Sequence, residues 1–179
     1  LDENSILSGG RDSLTSLPFT DYRRSQYLES LLRLNGLSGS RVEQKLAQLT
    51  SGILLKTYFP ETDRVEEPEM FNLENYQTPE GGIALLPYGG PELELSAKIA
   101  ALEQEGFDSF ALARYFTAIL ADPKESRERS LIALCGLGSL GQPVLQEVQL
   151  LTQEKDLTVK ERLYLILALS ELGDEQKAA

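Results

Sequence analysis

The sequence predicts an all-α fold built from stacked helical hairpins. Three observations carry this: apolar residues recurring every three or four positions, two helix-start signatures, and an internal echo 32 residues apart. A stripe of apolar side chains along one side of a helix leaves water only if another helix covers it, so successive striped helices are expected to pair.

Residues 1–17 mix Ser, Gly and Asp with scattered Leu and keep no period. Residues 1–19 therefore read as a linker or loosely held arm, and 20–179 as one helical domain. From Asp21 to Asn35 the residues Tyr27, Leu28, Leu31 and Leu32 share a face, and Gly36 supplies a stop. A second helix is predicted over Ser40 to Phe59, with Val42, Leu46, Leu49 and Ile53 as its stripe and Pro60 as its end. The short connection makes the two antiparallel. Ser40-Arg41-Val42-Glu43 has the pattern of a capping box, so Ser40 and Glu43 are expected to satisfy the free N–H groups of the second helix.

In the acidic stretch that follows, Met70, Phe71, Leu73 and Tyr76 suit a short helix. The helical period then breaks. Gly81-Gly82 and Gly89-Gly90, with Pro79 and Pro87, bracket an Ile-Ala-Leu-Leu run and predict a structured loop or small hairpin. Helices resume over Pro91 to Glu105, with Leu95, Ile99 and Leu102 on a face. The next runs from Ser109 to Ala121, with Phe110, Ala113, Phe116, Thr117 and Leu120. The aromatics Phe107, Phe110, Tyr115 and Phe116 lie at helical spacing and are expected in the core. Asp122-Pro123-Lys124-Glu125 and Thr158-Val159-Lys160-Glu161 are both read as helix starts among the last three helices. After them comes the echo: Leu131, Leu134, Leu137, Leu140 and Gly141 correspond to Leu163, Ile166, Leu169, Leu172 and Gly173. Two copies are too few to close a solenoid or a ring.

The chain of 179 residues carries Lys+Arg 17 against Asp+Glu 28, a formal net charge of -11. That balance argues against nucleic acid, whose binding needs Lys and Arg to displace counterions, and against an anionic membrane surface. Its longest apolar run falls short of the ~18 residues that cross a bilayer. The chain begins at Leu1 and stops soon after an apolar helix, so it is expected to be cut from a longer protein and truncated at its C-terminus. His is absent, which removes Ser-His-Asp triads, Cys-His dyads and nearly every catalytic zinc site within these residues. The single Cys135 reads as a small apolar residue inside a helix.

Glu66, Glu67, Glu69, Glu74, Glu92 and Glu94 supply oxygen ligands without the Asp-x-Asp-x-Asp-Gly spacing of a calcium loop, and read as a solvated acidic face. The glycine loop lacks the Gly-x-Gly-x-x-Gly and Lys-Ser/Thr of a phosphate cradle, so Gly81, Gly82, Gly89 and Gly90 read as structural turns. No cofactor and no metal site is expected.

Two stretches resemble one family. The run from Tyr27 to Gln44, a helix followed by Gly39-Ser40-Arg41-Val42-Glu43-Gln44, is similar to the segment of alpha-2-macroglobulins and complement thioester proteins in which Gly-Cys-x-Glu-Gln opens a helix. The run from Tyr76 through Thr78-Pro79-Glu80-Gly81-Gly82-Ile83 and Tyr88-Gly89-Gly90 to Leu95-Ser96-Ala97 is similar to the family's Asp-Gly-Gly-aromatic loop, Gly-Gly step and helix start. Order and approximate spacing match over about the first 100 residues. Three departures stand beside the match. Arg41 occupies the position of the thioester cysteine, so the motif survives only as Glu43-Gln44; Glu80 replaces the Asp; and Ile83 replaces the aromatic.

The resemblance implies an α/α toroid of the terpenoid cyclase and thioester-domain type, of which this chain would supply roughly half. It implies a bacterial alpha-2-macroglobulin-like protease trap without a reactive thioester. Its partners would be other domains of the parent chain and target proteases, in the periplasm or at the cell surface. The alternative is a helical-repeat protein-binding scaffold unrelated to protease trapping. An α/α-toroid enzyme is disfavoured, because prenyltransferase-type zinc wants His, cyclases want paired Asp runs and usually Trp, and the chain has Trp 0.

Overall fold

The computed structural model describes residues 22–62, 65, 72–102 and 106–173, and within them the chain is all-helical. The elements are α1 (Tyr22–Asn35), α2 (Val42–Tyr58), a 3-10 turn (Leu73–Tyr76), α3 (Leu93–Ala101), α4 (Ser109–Ala121), α5 (Arg127–Ser139), α6 (Leu145–Leu151) and α7 (Val159–Glu171). The expected arm at 1–19, Met70, Phe71 and the acids Glu66, Glu67 and Glu69 lie outside the described residues.

Helix α5 forms the centre because it has no polar side in its middle. Every residue from Leu131 to Gly138 is buried. A helix apolar all round must be covered from several directions, and α3, α4, α6 and α7 all pack on it. Phe116 of α4 enters this core fully buried and lies against the bare backbone of Gly136.

Helices α3, α5 and α7 run parallel, side by side. The starts of α5 and α7 are joined by Arg127 and Glu161, and their ends by Gly138 against Leu172. Lys160 in the first turn of α7 reaches Glu94 of α3 and, at 2.9 Å, Glu128 of α5, so all three first turns share one end of the molecule. Helices α4 and α6 pack against this row.

The 32-residue echo coincides with the element boundaries. Helix α7 begins and ends 32 residues after α5, and the caps Ser126 and Thr158 share that offset. Both helices stop on a glycine in the left-handed region, Gly141 at φ 71 and Gly173 at φ 77. After α5 the Gln142 N–H returns to Leu137 O at 2.9 Å, which satisfies a carbonyl the helix leaves open.

Helices α1 and α2 form the antiparallel pair. Arg24 near the start of α1 donates to Tyr58 O at 2.7 Å and lies over the Phe59 ring, while Asn35 at its end donates to Gln48 O at 3.3 Å. Helix α2 spans two clusters: Val42 and Leu46 belong to the main core, and Leu55 and Phe59 pack with Leu28 of α1.

Several sequence expectations are corrected. Ser40 and Glu43 form no capping box. Arg41 is the N-cap without a side-chain bond, because Val42 N–H is satisfied by Leu85 O at 3.0 Å and Ser40 O accepts from Tyr76 Oη at 2.8 Å. Asp122 does not start α5. It ends α4, and its carboxylate accepts Lys124 N–H in a turn, leaving Ser126 as the true cap. Phe110 is 81% exposed instead of buried. It stands six residues before Phe116, about 240° around the helix, and the buried side of α4 is Leu112, Phe116 and Ile119. Helix α3 starts at Leu93, since Pro91 is held in a bridge to Ala84. Leu102 and Ile53 also turn out exposed.

Two expected outcomes follow. A Cβ at Gly136 would stand 2.4 Å from Phe116 Cζ, and that ring is fully enclosed. Overpacking costs about 1–3 kcal/mol against a gain of ~1 kcal/mol in helix propensity, so Gly136→Ala should lose up to about 2 kcal/mol, read from the urea midpoint. The second outcome concerns Glu161. Its carboxylate accepts from Arg127 at 2.8 and 3.1 Å and from Thr158 N–H at 2.7 Å, which holds its pKa down from 4.5 to about 2. A depressed carboxyl stabilises the fold while ionised, fully above pH 4.5, and loses that contribution as pH falls toward 2. Thermal melts should show Glu161→Gln less stable than the parent at pH 7, with the gap closing between pH 4.5 and 2; a gap independent of pH contradicts the assignment.

Candidate functional site

The two stretches singled out by resemblance meet at one junction, formed by the start of α2, the glycine loop and the starts of α3 and α5. The loop is bound through its backbone. Ala84 N–H donates to Tyr76 O and Glu92 N–H to Ile83 O, both at 2.8 Å, with single bridges pairing Gln77 with Ile83 and Ala84 with Pro91. Two tight turns interrupt it, closed by Gly81 N–H to Thr78 O at 2.8 Å and Gly89 N–H to Leu86 O at 2.9 Å.

Two side chains fasten the loop to its neighbours. Ser96, buried in α3, accepts Ile83 N–H at 2.8 Å and donates to Glu92 O at 2.7 Å. Gln77 uses both ends of its amide: Nε2 donates to Gly81 O and Asp108 O, both at 2.9 Å, and Oε1 accepts Asp108 N–H at 2.8 Å. Asp108 in turn caps α4 by accepting from Phe110 and Ala111 N–H. The loop, α3 and α4 are thereby held in one register. Sequence reading missed both roles, because Gln77 and Asp108 are 31 residues apart and no local pattern relates them.

The structure separates the two glycine pairs. Gly81 has φ 98, and a Cβ there would stand 2.1 Å from Ala111 O. A Cβ at Gly82 would meet Pro91 and Tyr115 inside 3 Å. This pair lets the loop lie on the backbone of α4. Gly90 has nothing within 4 Å of such a carbon, and Gly89 and Gly90 are exposed.

Arg41, Glu43 and Gln44 stand at the head of α2. Arg41 pairs with Glu43 at 3.3 Å, and Gln44 folds back so that a Cβ at Gly39 would stand 2.1 Å from its Oε1. Glu43 faces a cleft of about 630 Å³, whose other walls carry Leu85 of the loop, Glu92, Glu94 and Lys98 of the α3 region, and Glu128 of α5. Lys160 lies beside this wall. Its hydrogen bond draws the Glu94 carboxyl below its ordinary value, and the Glu94 and Glu128 carboxylates hold the Lys160 ammonium above its own. Both directions favour the charged forms of the pair around neutral pH. Cys135, buried in α5, has its thiol pushed up to about 12 by burial, which disfavours the thiolate a nucleophile requires. Among the described residues no group of His, Cys, Asp and Glu has the arrangement of a metal site. Of the six candidate acids, Glu92 and Glu94 line the cleft and Glu74 sits in the 3-10 turn.

No family model matches the chain, and no curated protein or solved structure matches it.

The difference between the glycine pairs is directly measurable. Gly81→Ala combines a left-handed φ with a backbone collision and should cost about 2–4 kcal/mol in urea unfolding, whereas Gly90→Ala should stay within about 0.5 kcal/mol of the parent. Equal effects would remove the close packing of the loop on α4.

Proposed function

We propose that this chain is a non-catalytic structural and interaction domain of an alpha-2-macroglobulin-like protease trap that carries no reactive thioester. One observation supports the reading most. The two stretches that resemble the family, far apart in sequence, adjoin: Val42 N–H at the head of α2 donates to Leu85 O in the glycine loop, and Tyr76 donates to Ser40 O across the same junction. A thioester in this place would join a thiol at position 41 to the Gln44 amide. Arg41 offers a guanidinium paired to Glu43, and Cys135 is enclosed within α5, so the junction has no thiol with which to close the bond.

On this reading the row α3, α5, α7 is part of the inner ring of an α/α toroid, and α4 and α6 are part of its outer ring. The partners are then the other domains of the parent chain and the proteases it encloses, in the periplasm or at the cell surface. Inhibition would work by caging, since no covalent capture is available here. A second reading, a helical-repeat scaffold that binds protein, is favoured by the agreement of α5 and α7 in length, caps and glycine stops at a 32-residue offset.

One assay distinguishes the two. After cleavage of the full-length parent by a broad-specificity protease, the trapped protease should keep its activity on a small peptide substrate and lose it on a large protein. Equal loss on both, or no loss, rejects caging and leaves the scaffold. Methylamine should add no mass to this domain and release no thiol.

A further inference from the structure

Helices α1 and α2 enclose less than their apolar residues require. Among the described elements α1 packs substantially on α2 alone, and the core of the pair is Leu28, Leu55 and Phe59. Beside that core runs a groove of about 450 Å³, walled by Tyr27 and Leu31 of α1 and by Leu54, Tyr58 and Phe59 at the end of α2. Tyr27 is 68% exposed and Tyr58 63%, so two aromatic rings on paired helices stand in water. The groove starts where α1 starts, since Arg24 in the first turn also lines it and donates to Tyr58 O.

We infer that this groove is the seat of the segment Leu14-Thr15-Ser16-Leu17-Pro18-Phe19 of the same chain, turned back along α1 through Thr20 and Asp21. Length and attachment fit. Phe19 stands three residues before Tyr22, the first residue of α1. Six extended residues reach up to about 20 Å, and the groove from Arg24 to Leu31 runs about 10 Å along the helix. Composition fits as well. The segment carries Leu14, Leu17 and Phe19 and no charge, whereas Asp2, Glu3, Arg11 and Asp12 precede it, so it enters an apolar groove without burying an ion. Pro18 has no N–H to leave unmatched there and favours an extended Leu17. Between Tyr27 and Tyr58 the Phe19 ring gains aromatic neighbours. A two-residue tether gives the segment an effective concentration of about millimolar, an advantage that a separate partner lacks. The groove lies at the opposite end of α2 from the glycine loop, and the inference stands whether or not the chain belongs to a protease trap.

The test uses the full chain. In NMR spectra, nuclear Overhauser contacts should connect Phe19 with Tyr27 or Tyr58, and Leu17 with Leu31 or Leu54. No contact between residues 14–19 and the groove overturns the inference. A mixture of labelled and unlabelled chains separates the sources of any contact: cross-peaks between chains would assign the groove to a second copy and overturn the same-chain seat. A second measurement asks whether the segment shields the groove. Leu17→Asp with Phe19→Asp leaves α1 to α7 unchanged in sequence and should raise the binding of an apolar fluorescent dye at least about threefold, with the amides of α5 still protected from hydrogen exchange. Adding Tyr27→Asp and Tyr58→Asp should remove that gain. Dye binding that does not rise, or a gain that survives the tyrosine substitutions, overturns the assignment.

Discussion

The middle of α5 is a run of eight residues with no side suited to water, from Leu131 to Gly138. A helix of that composition is stable only when neighbours enclose it, since each large aliphatic side chain left in water forfeits about 1.5–3 kcal/mol. The remaining architecture answers this need. Helix α3 covers one flank and α7 the other, Phe116 of α4 fills the space left by the missing side chain of Gly136, and α6 closes part of the back. The glycine is as necessary as the leucines, because it lets an aromatic ring reach the helix backbone.

Parallel packing around α5 brings three helix N-termini to one end, and the charges there follow. Glu94, Glu128 and Glu161 occupy the first turns of α3, α5 and α7, where the partial positive charge of the helix favours an acid. Three carboxylates gathered together would repel, and Arg127 and Lys160 relieve this by bridging between helices. Glu161 is the most constrained of them, since one carboxylate completes a capping box and accepts from Nε and Nη2 of a guanidinium on the neighbouring helix. Of these residues Glu94 and Glu128 line the cleft, so part of its polar wall arises from helix alignment before any role in binding.

The glycine loop plays a different part. It carries no regular element, yet Ile83 N–H, Gly81 O and Leu85 O in it are matched by Ser96, Gln77 and the head of α2. Such matching is what a buried irregular segment requires. It is also why α2 needs no side-chain cap: the loop supplies Leu85 O where Ser40 would otherwise serve.

The sequence by itself determined the helical class, both ends of α4, the start of α7 with the capping box at Thr158, the glycine break at 78–90 and the offset that relates α5 to α7. These rest on local chemistry, the period of a helix and the preferences of caps and turns, which a short window contains. Only the tertiary structure decided which face of each helix is buried, so that Phe110 is exposed and Phe116 enclosed. It alone decided that Arg41 and not Ser40 heads α2, and that Gly81-Gly82 is buried against α4 while Gly89-Gly90 is exposed. Each of these depends on an atom contributed from far along the chain, such as Leu85 O for Val42, Ala111 O for Gly81 or Glu94 for Lys160. A pattern read within one turn of helix carries no information about a partner 30 to 70 residues away.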